Sequence, residues 1–214
     1  MTRAALCVVA LCSAGACSNP ERRRLEQTTQ ATYDTKTGRL AEITYDANKN
    51  GRIDTWTEMD GARPVRSRVD RNEDGRIDRW EYYDRDGKLV KVGLSRADDG
   101  KPDSWAFAGP DGRIARTEIS STHDETKIDR WERYEASPTG DTAGMLVSAE
   151  EDADHDGKPD KWETYDGGVL KTVAFDETHD GKPDRRLTYD RGALTLIETD
   201  PDGAGGYRTQ VAVK

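Results

Sequence analysis

Trp56, Trp80, Trp105, Trp131 and Trp162 are all the tryptophans of this chain, and each stands two residues after an aspartate: Asp54, Asp78, Asp103, Asp129 and Asp160. Three residues before each aspartate is Gly51, Gly75, Gly100, Thr126 or Gly157. A sixth copy, Gly181 and Asp184, carries Arg186 in the tryptophan slot, and a weak seventh aligns on Gly205. The intervals are 24, 25, 26, 31, 24 and 24 residues. Chance does not put every tryptophan in one phase. The chain is therefore a repeat protein of about seven units, and a unit of ~24 residues buries its apolar surface only against its neighbours.

Within a unit the residues alternate as in a strand. Asp78, Trp80 and Tyr82 fall on one face, and Arg79, Glu81 and Tyr83 on the other. A turn signal follows, such as Asp84-Arg85-Asp86-Gly87 or Asp190-Arg191-Gly192, and then a second short apolar run. No window holds an apolar stripe at helical spacing, and Gly or Pro interrupts every dozen residues or so. The expected fold is all-β: tandem β-hairpins forming an elongated antiparallel meander or solenoid-like sheet, with Asp-rich loops along one edge. Closure into a barrel stays open at this point.

The loops have the chemistry of calcium sites. A hard cation takes six to eight oxygens, and Asp70, Asn72, Asp74, Asp78 and Glu81 occupy positions 1, 3, 5, 9 and 12 of an EF-hand-like loop, with Gly75 at position 6. Asp152, Asp154, Asp156, Asp160 and Glu163 repeat the pattern. Asp46, Asn48, Asn50 and Asp54 form a less charged version, and Asp176, Thr178, Asp180 and Asp184 another. Ligand charge tunes affinity, so the second and fifth loops rank above the first and sixth. The third loop keeps only Asp99 and Asp103. The fourth, aligned on Thr126, offers Ser121, His123 and Glu125. Asp and Gly are also strong turn formers, which explains the weaker copies without metal.

These loops resemble the EF-hand-like calcium loops of thrombospondin type 3 repeats and bacterial dockerins, most closely at Asp70–Glu81 and Asp152–Glu163. Strands flank them here instead of helices, so the resemblance implies calcium as cofactor and nothing about helix opening. The hairpin half resembles the YD repeats of bacterial Rhs-type proteins, best at Tyr33-Asp34-Thr35-Lys36-Thr37-Gly38-Arg39-Leu40. Those families build long spiralled shells, and seven units are too few to enclose a cargo.

The periodic tryptophans have two readings: the repeat's core between stacked hairpins, which is preferred, or a ladder on an exposed face that grips an envelope glycan or peptide. The tyrosines at Trp+3, Tyr83, Tyr134 and Tyr165, then take the opposite face. No catalytic constellation appears. His155 and His179 lie at loop position 4, expected to point away from an ion, and the carboxylates are periodic where a catalytic pair would break the period. No enzyme is expected.

Residues 1–16 read as a signal peptide: one charge, Arg3, then an apolar run too short to span a membrane. Ala14-Gly15-Ala16-Cys17 resembles a bacterial lipobox, with Ala14 where Leu is usual, which implies acylation of Cys17 and a membrane partner through that anchor. Ordinary cleavage after Ala16 is the alternative. Ser18 then resembles the outer-membrane sorting pattern, facing periplasm or cell surface. Residues 17–32 read as the lipidated cysteine and a polar tether, and 33–214 as the repeat domain. The formal charge of −9 argues against nucleic acid. With 33% hydrophobic and 35% charged residues the core is thin, and bound metal would supply folding free energy that it lacks. The expected role is structural or adhesive.

Overall fold

The computed structural model describes residues 28–136 and 144–213. The expected signal peptide, Cys17 and most of the expected tether lie outside these residues. Fifteen strands follow one another in a single antiparallel sheet whose spatial order is the chain order. They are β1 Thr29–Tyr33, β2 Leu40–Tyr45, β3 Thr55–Asp60, β4 Arg63–Val69 and β5 Arg79–Tyr83. Next come β6 Leu89–Leu94, β7 Ser104–Ala108, β8 Ile114–Ile119, β9 Arg130–Glu135 and β10 Met145–Glu151. The last five are β11 Lys161–Asp166, β12 Val169–Phe175, β13 Arg185–Asp190, β14 Ala193–Pro201 and β15 Tyr207–Ala212. The first and last strands do not pair, so the sheet is an open meander and not a barrel. Strand β1 opens at Thr29, four residues inside the expected tether.

The two edges differ. Connections after odd-numbered strands are tight Asp/Gly turns, apart from β9 to β10, whose connection lies mostly outside the described residues; those after even-numbered strands are the Asp-rich loops. Every hairpin of an odd-numbered strand with the next carries a register shift, as at Glu58/Met59, Tyr82/Tyr83 and Thr164/Tyr165. The hairpins that close through the loops run without one. An extra residue on one edge alone adds local twist there.

A single layer leaves little to bury. Among the described residues the buried apolar side chains are Ala149, Val173 and Ala174. The tryptophans are half-buried, which corrects the preferred core reading: among the described residues no second layer packs over them. They form one row across the sheet, each flanked by cross-strand neighbours such as Arg68 and Gly93 for Trp80, or Glu118 and Glu150 for Trp131. Cohesion therefore rests on backbone ladders and cross-strand pairs. Arg66 donates to Glu58 at 2.5 Å, Arg186 to Glu198 at 2.6 Å, and the Thr57 and Ser67 hydroxyls meet at 2.9 Å.

Candidate metal centres

Each Asp-rich loop is closed by its last aspartate. The Asp78 carboxylate accepts the Arg71 and Asn72 N–H groups at 2.5 and 3.3 Å. Asp54, Asp103, Asp129, Asp160 and Asp184 hold the equivalent N–H of their own loops. Asp103, fully buried, uses both oxygens this way and has no metal-site neighbours to serve. The aspartates expected to ligate from position 9 are thus loop locks: a short acceptor six to eight residues along the chain takes one or two backbone N–H groups at the loop's start and fixes the turn.

Position 1 behaves differently from loop to loop. Its carboxylate accepts the loop glycine N–H through one oxygen: Asp46 to Gly51 at 2.8 Å, Asp70 to Gly75 at 2.9 Å, Asp152 to Gly157 at 2.9 Å and Asp176 to Gly181 at 2.6 Å. Gly75 and Gly157 stand at φ 91° and 90°, where a side chain is strained. In the first loop the other oxygen, Asp46 Oδ1, is satisfied by the Lys49 and Asn50 N–H at 2.6 and 3.2 Å. In the sixth, Asp176 Oδ1 takes the Asp180 N–H at 3.3 Å. Asp176 is pulled toward desolvation by its burial, but the N–H groups around it outweigh that and hold its pKa low.

In the second and fifth loops, Asp70 Oδ1 and Asp152 Oδ1 are buried and have no hydrogen-bond partner. The two residues are only 5% and 4% exposed. A buried carboxylate oxygen left unpaired costs free energy unless something positive meets it. In the fifth loop an oxygen from each of Asp152, Asp154 and Asp156 lies within 4.8 Å of the others, a spacing a single cation spans. Asp154 and Asp156 each commit one oxygen to the N–H two residues on; the second oxygen of Asp154 also meets His179 at 3.0 Å, and that of Asp156 lies 4.0 Å from Lys158 Nζ. In the second loop Asp74 likewise accepts the Arg76 N–H through one oxygen, and the single side-chain oxygen of Asn72 accepts the Asp74 N–H.

Glu81 and Glu163, expected at position 12, are not brought to the loops. Glu81 accepts from Arg79 Nε at 2.7 Å and from the Tyr83 hydroxyl at 2.6 Å. Glu163 accepts from the Tyr165 hydroxyl at 2.9 Å and Arg130 at 3.1 Å, and pairs with Lys161 at 2.7 Å. Burial pushes its pKa up, but these donors outweigh it and hold the carboxyl below its usual range. The sequence carried a sign of this. Glu132 takes the same place after the loop in the fourth unit, whose loop has no Asp or Asn at its first two ligand positions, and it binds Tyr134 in the same way at 2.6 Å.

The fourth loop also corrects the alignment. Ser120, not Ser121, holds position 1: it is fully buried, its N–H donates to Asp103 O at 2.9 Å, and its hydroxyl accepts the Asp124 N–H at 3.1 Å. Position 3 is then Thr122, position 5 is Asp124, and one residue is inserted before Asp129. His123 moves to position 4, where it shares a left-handed φ near 60° with Lys49, Glu73, Asp98, His155 and His179.

That position was expected to point away, and it does so toward a partner that sequence reasoning missed. The side chain at position 4 reaches back to the preceding loop. Glu73 accepts Asn50 Nδ2 at 2.7 Å and also holds Asn48 and Arg52. Asp98 accepts Asn72 Nδ2 at 3.1 Å, and His123 Nδ1 lies 2.5 Å from Asp103 Oδ2. His179 Nδ1 lies 3.0 Å from Asp154 Oδ2, and these carboxylates raise its pKa, the hydrogen bond to Asp160 most.

No family model and no curated protein matches the chain. Among solved structures it is similar to part of S. aureus TarM, at 11% identity and a TM-score of 0.37, over 49% of this chain and 22% of that one. It is also similar to part of the accessory secretory protein 1, 2 and 3 structure from Streptococcus pneumoniae, at 17% identity and a TM-score of 0.28, over 58% and 19%. A TcdB2–TccC3 structure matches 87% of this chain with 10% of its own length, at 19% identity and a TM-score of 0.28. The chain spans about a fifth or less of each of these proteins.

Proposed function

We propose that the protein is a cell-envelope repeat protein whose second and fifth loops bind calcium, which stiffens the sheet for a structural or adhesive role. The observation that carries this reading is the pair of buried, unpartnered oxygens, Asp70 Oδ1 and Asp152 Oδ1, in the two loops with the fullest oxygen set. The first and sixth loops satisfy the equivalent oxygen with backbone N–H, so two sites are expected where the sequence offers four. Asp70, Asn72 and Asp74 would hold one ion, and Asp152, Asp154 and Asp156 the other. A sheet with almost no apolar core is the kind of fold that gains most from metal that binds only the folded state. Placement at the outer membrane through acylated Cys17 follows from the lipobox resemblance.

The test is calorimetric titration and thermal unfolding in EDTA, calcium and magnesium. Two calcium ions should bind, each stabilising by about 2.7 kcal/mol at a hundredfold excess over Kd. Asp156→Asn and Asp74→Asn should each remove one ion, and Asn50→Ala none. An unchanged melting temperature in millimolar calcium would leave the loops as hydrogen-bonded turns and the chain as a metal-free scaffold.

A further inference from the structure

Among the described residues, the tryptophan face has one directly opposed like-charge pair that no neighbour neutralises on both sides. Arg116 of β8 and Arg133 of β9 are directly opposed in the register on that face. Like charges in that relation destabilise a sheet. Glu42 and Glu58 are opposed too, but Arg68 and Arg66 neutralise them. Arg116 has its own anchor, stacking on Phe107 at 3.7 Å and donating to Glu118, which leaves most of its donors free. Arg133 is exposed, and its side chain has no hydrogen bond or ion pair among the described residues. The two arginines border a cavity of 220 Å³ together with Trp131, Ser148 and Glu150.

We propose that this hollow binds an acidic saccharide, its carboxylate held between Arg116 and Arg133. The guanidinium fork matches a carboxylate, and two forks from adjacent strands hold it from both sides. Trp131 offers a ring face for a sugar to lie on. It differs in this from Trp105, where the Lys91 ammonium sits 3.6 Å from the ring centroid and takes that place. The Ser148 hydroxyl and the exposed Glu150 carboxylate are there to read sugar hydroxyls, which a bare phosphate does not possess. A peptide fits less well. The hollow lies over β8, β9 and β10 in the middle of fifteen strands, far from either edge where an extended chain adds as a strand.

Trigalacturonate is the probe, titrated into the full-length protein and followed by calorimetry and tryptophan fluorescence. Its methyl ester, inorganic phosphate and a glutamate-rich peptide are the comparisons. Binding should weaken about tenfold or more on esterification, and by a similar factor in Arg133→Gln, as expected for loss of a charged hydrogen bond. The melting temperature of Arg133→Gln should hold or rise, since a like-charge contact is removed. Four results overturn the proposal: no binding at millimolar trigalacturonate, equal binding of the ester, unchanged affinity in Arg133→Gln, or equal or tighter binding of phosphate or the peptide. Calcium plays no part, so Asp156→Asn should leave this affinity unchanged, and the two proposals fail separately.

Discussion

His179 Nδ1 stands 3.1 Å from Asp160 Oδ1, a contact between the sixth loop and the lock of the fifth. The Asp160 carboxylate thus closes its own loop with one oxygen and receives the next loop with the other. Glu73 does the same work between the second loop and the first, where its side chain is nearly buried under Asn48, Asn50 and Arg52. Loops that lie side by side along one edge are tied together in series, by side chains held at a left-handed backbone position.

The tie can be cut at one link. Glu73→Ala removes the acceptor of the Asn48 and Asn50 side-chain amides and should cost about 1–2 kcal/mol. Hydrogen exchange should show the loss concentrated at residues 46–54, with the sixth loop unaffected. Uniform loss along the sheet would mean that the loops are not coupled in this way.

Asp103 tests the lock in a loop without a metal site. Its buried carboxylate serves the Arg96 and Ala97 N–H groups, both at 3.0 Å, and His123. Asp103→Ala strands these donors and should destabilise by about 2–4 kcal/mol. The loss should be the same in EDTA and in calcium. Urea unfolding in the two buffers separates a lock from a ligand.

Gly93 and Trp105 make a closer contact than any other glycine-to-ring pair in the sheet. A Cβ at residue 93 would meet Trp105 Cζ3 at 2.6 Å, so the indole lies against the bare backbone. Gly93→Ala should therefore cost about 1–3 kcal/mol through overpacking, despite the better strand propensity of alanine. Near-ultraviolet circular dichroism should change as Trp105 and its neighbour Tyr82, 6.1 Å away, shift.

Tyr134 and Glu132 predict a dependence on pH from both sides. Burial and the hydrogen bond to Glu132 raise Tyr134 from 10.0 to about 12, so its contribution is complete below pH 10 and lost as pH climbs to about 12. Burial raises Glu132, but Tyr134, Arg130 and Thr117 outweigh it and hold the carboxyl below 4.5. Its contribution is present above pH 4.5 and lost as acid titrates the folded carboxylate. Tyr134→Phe should cost about 1 kcal/mol near neutrality. It should also flatten the alkaline decline seen by chemical denaturation. Parallel profiles for the two proteins would count against this pairing.

The hairpin architecture was legible because Asp, Gly and Trp keep one phase, and that phase marks both ends of every unit. The open sheet was not, since alternation along strands says which residues share a face and not whether another layer covers it. The fourth loop slipped by one residue because Thr126 is a poor anchor for alignment. The three histidines, which all fall at position 4, give the right frame. Glu81 and Glu163 were misplaced for a physical reason too: three residues beyond their loop lock the backbone is already pleated, and a strand carries them onto the sheet face beside Tyr83 and Tyr165. The unpaired oxygens of Asp70 and Asp152 were beyond reach, because they depend on which N–H groups the loop turns inward.

A meander of fifteen strands in chain order has a mechanical meaning. Thr29 and Ala212 stand at opposite ends of the sheet, up to ~65 Å apart at ~4.8 Å per strand. Tension between them runs across the strands and loads the terminal ladders first, so hydrogen bonds give way a few at a time. Such a sheet peels hairpin by hairpin and extends a long way at modest force, each loop tie acting as a separate catch. Pulled from its ends without bound metal, the meander should stretch like a strap before it breaks.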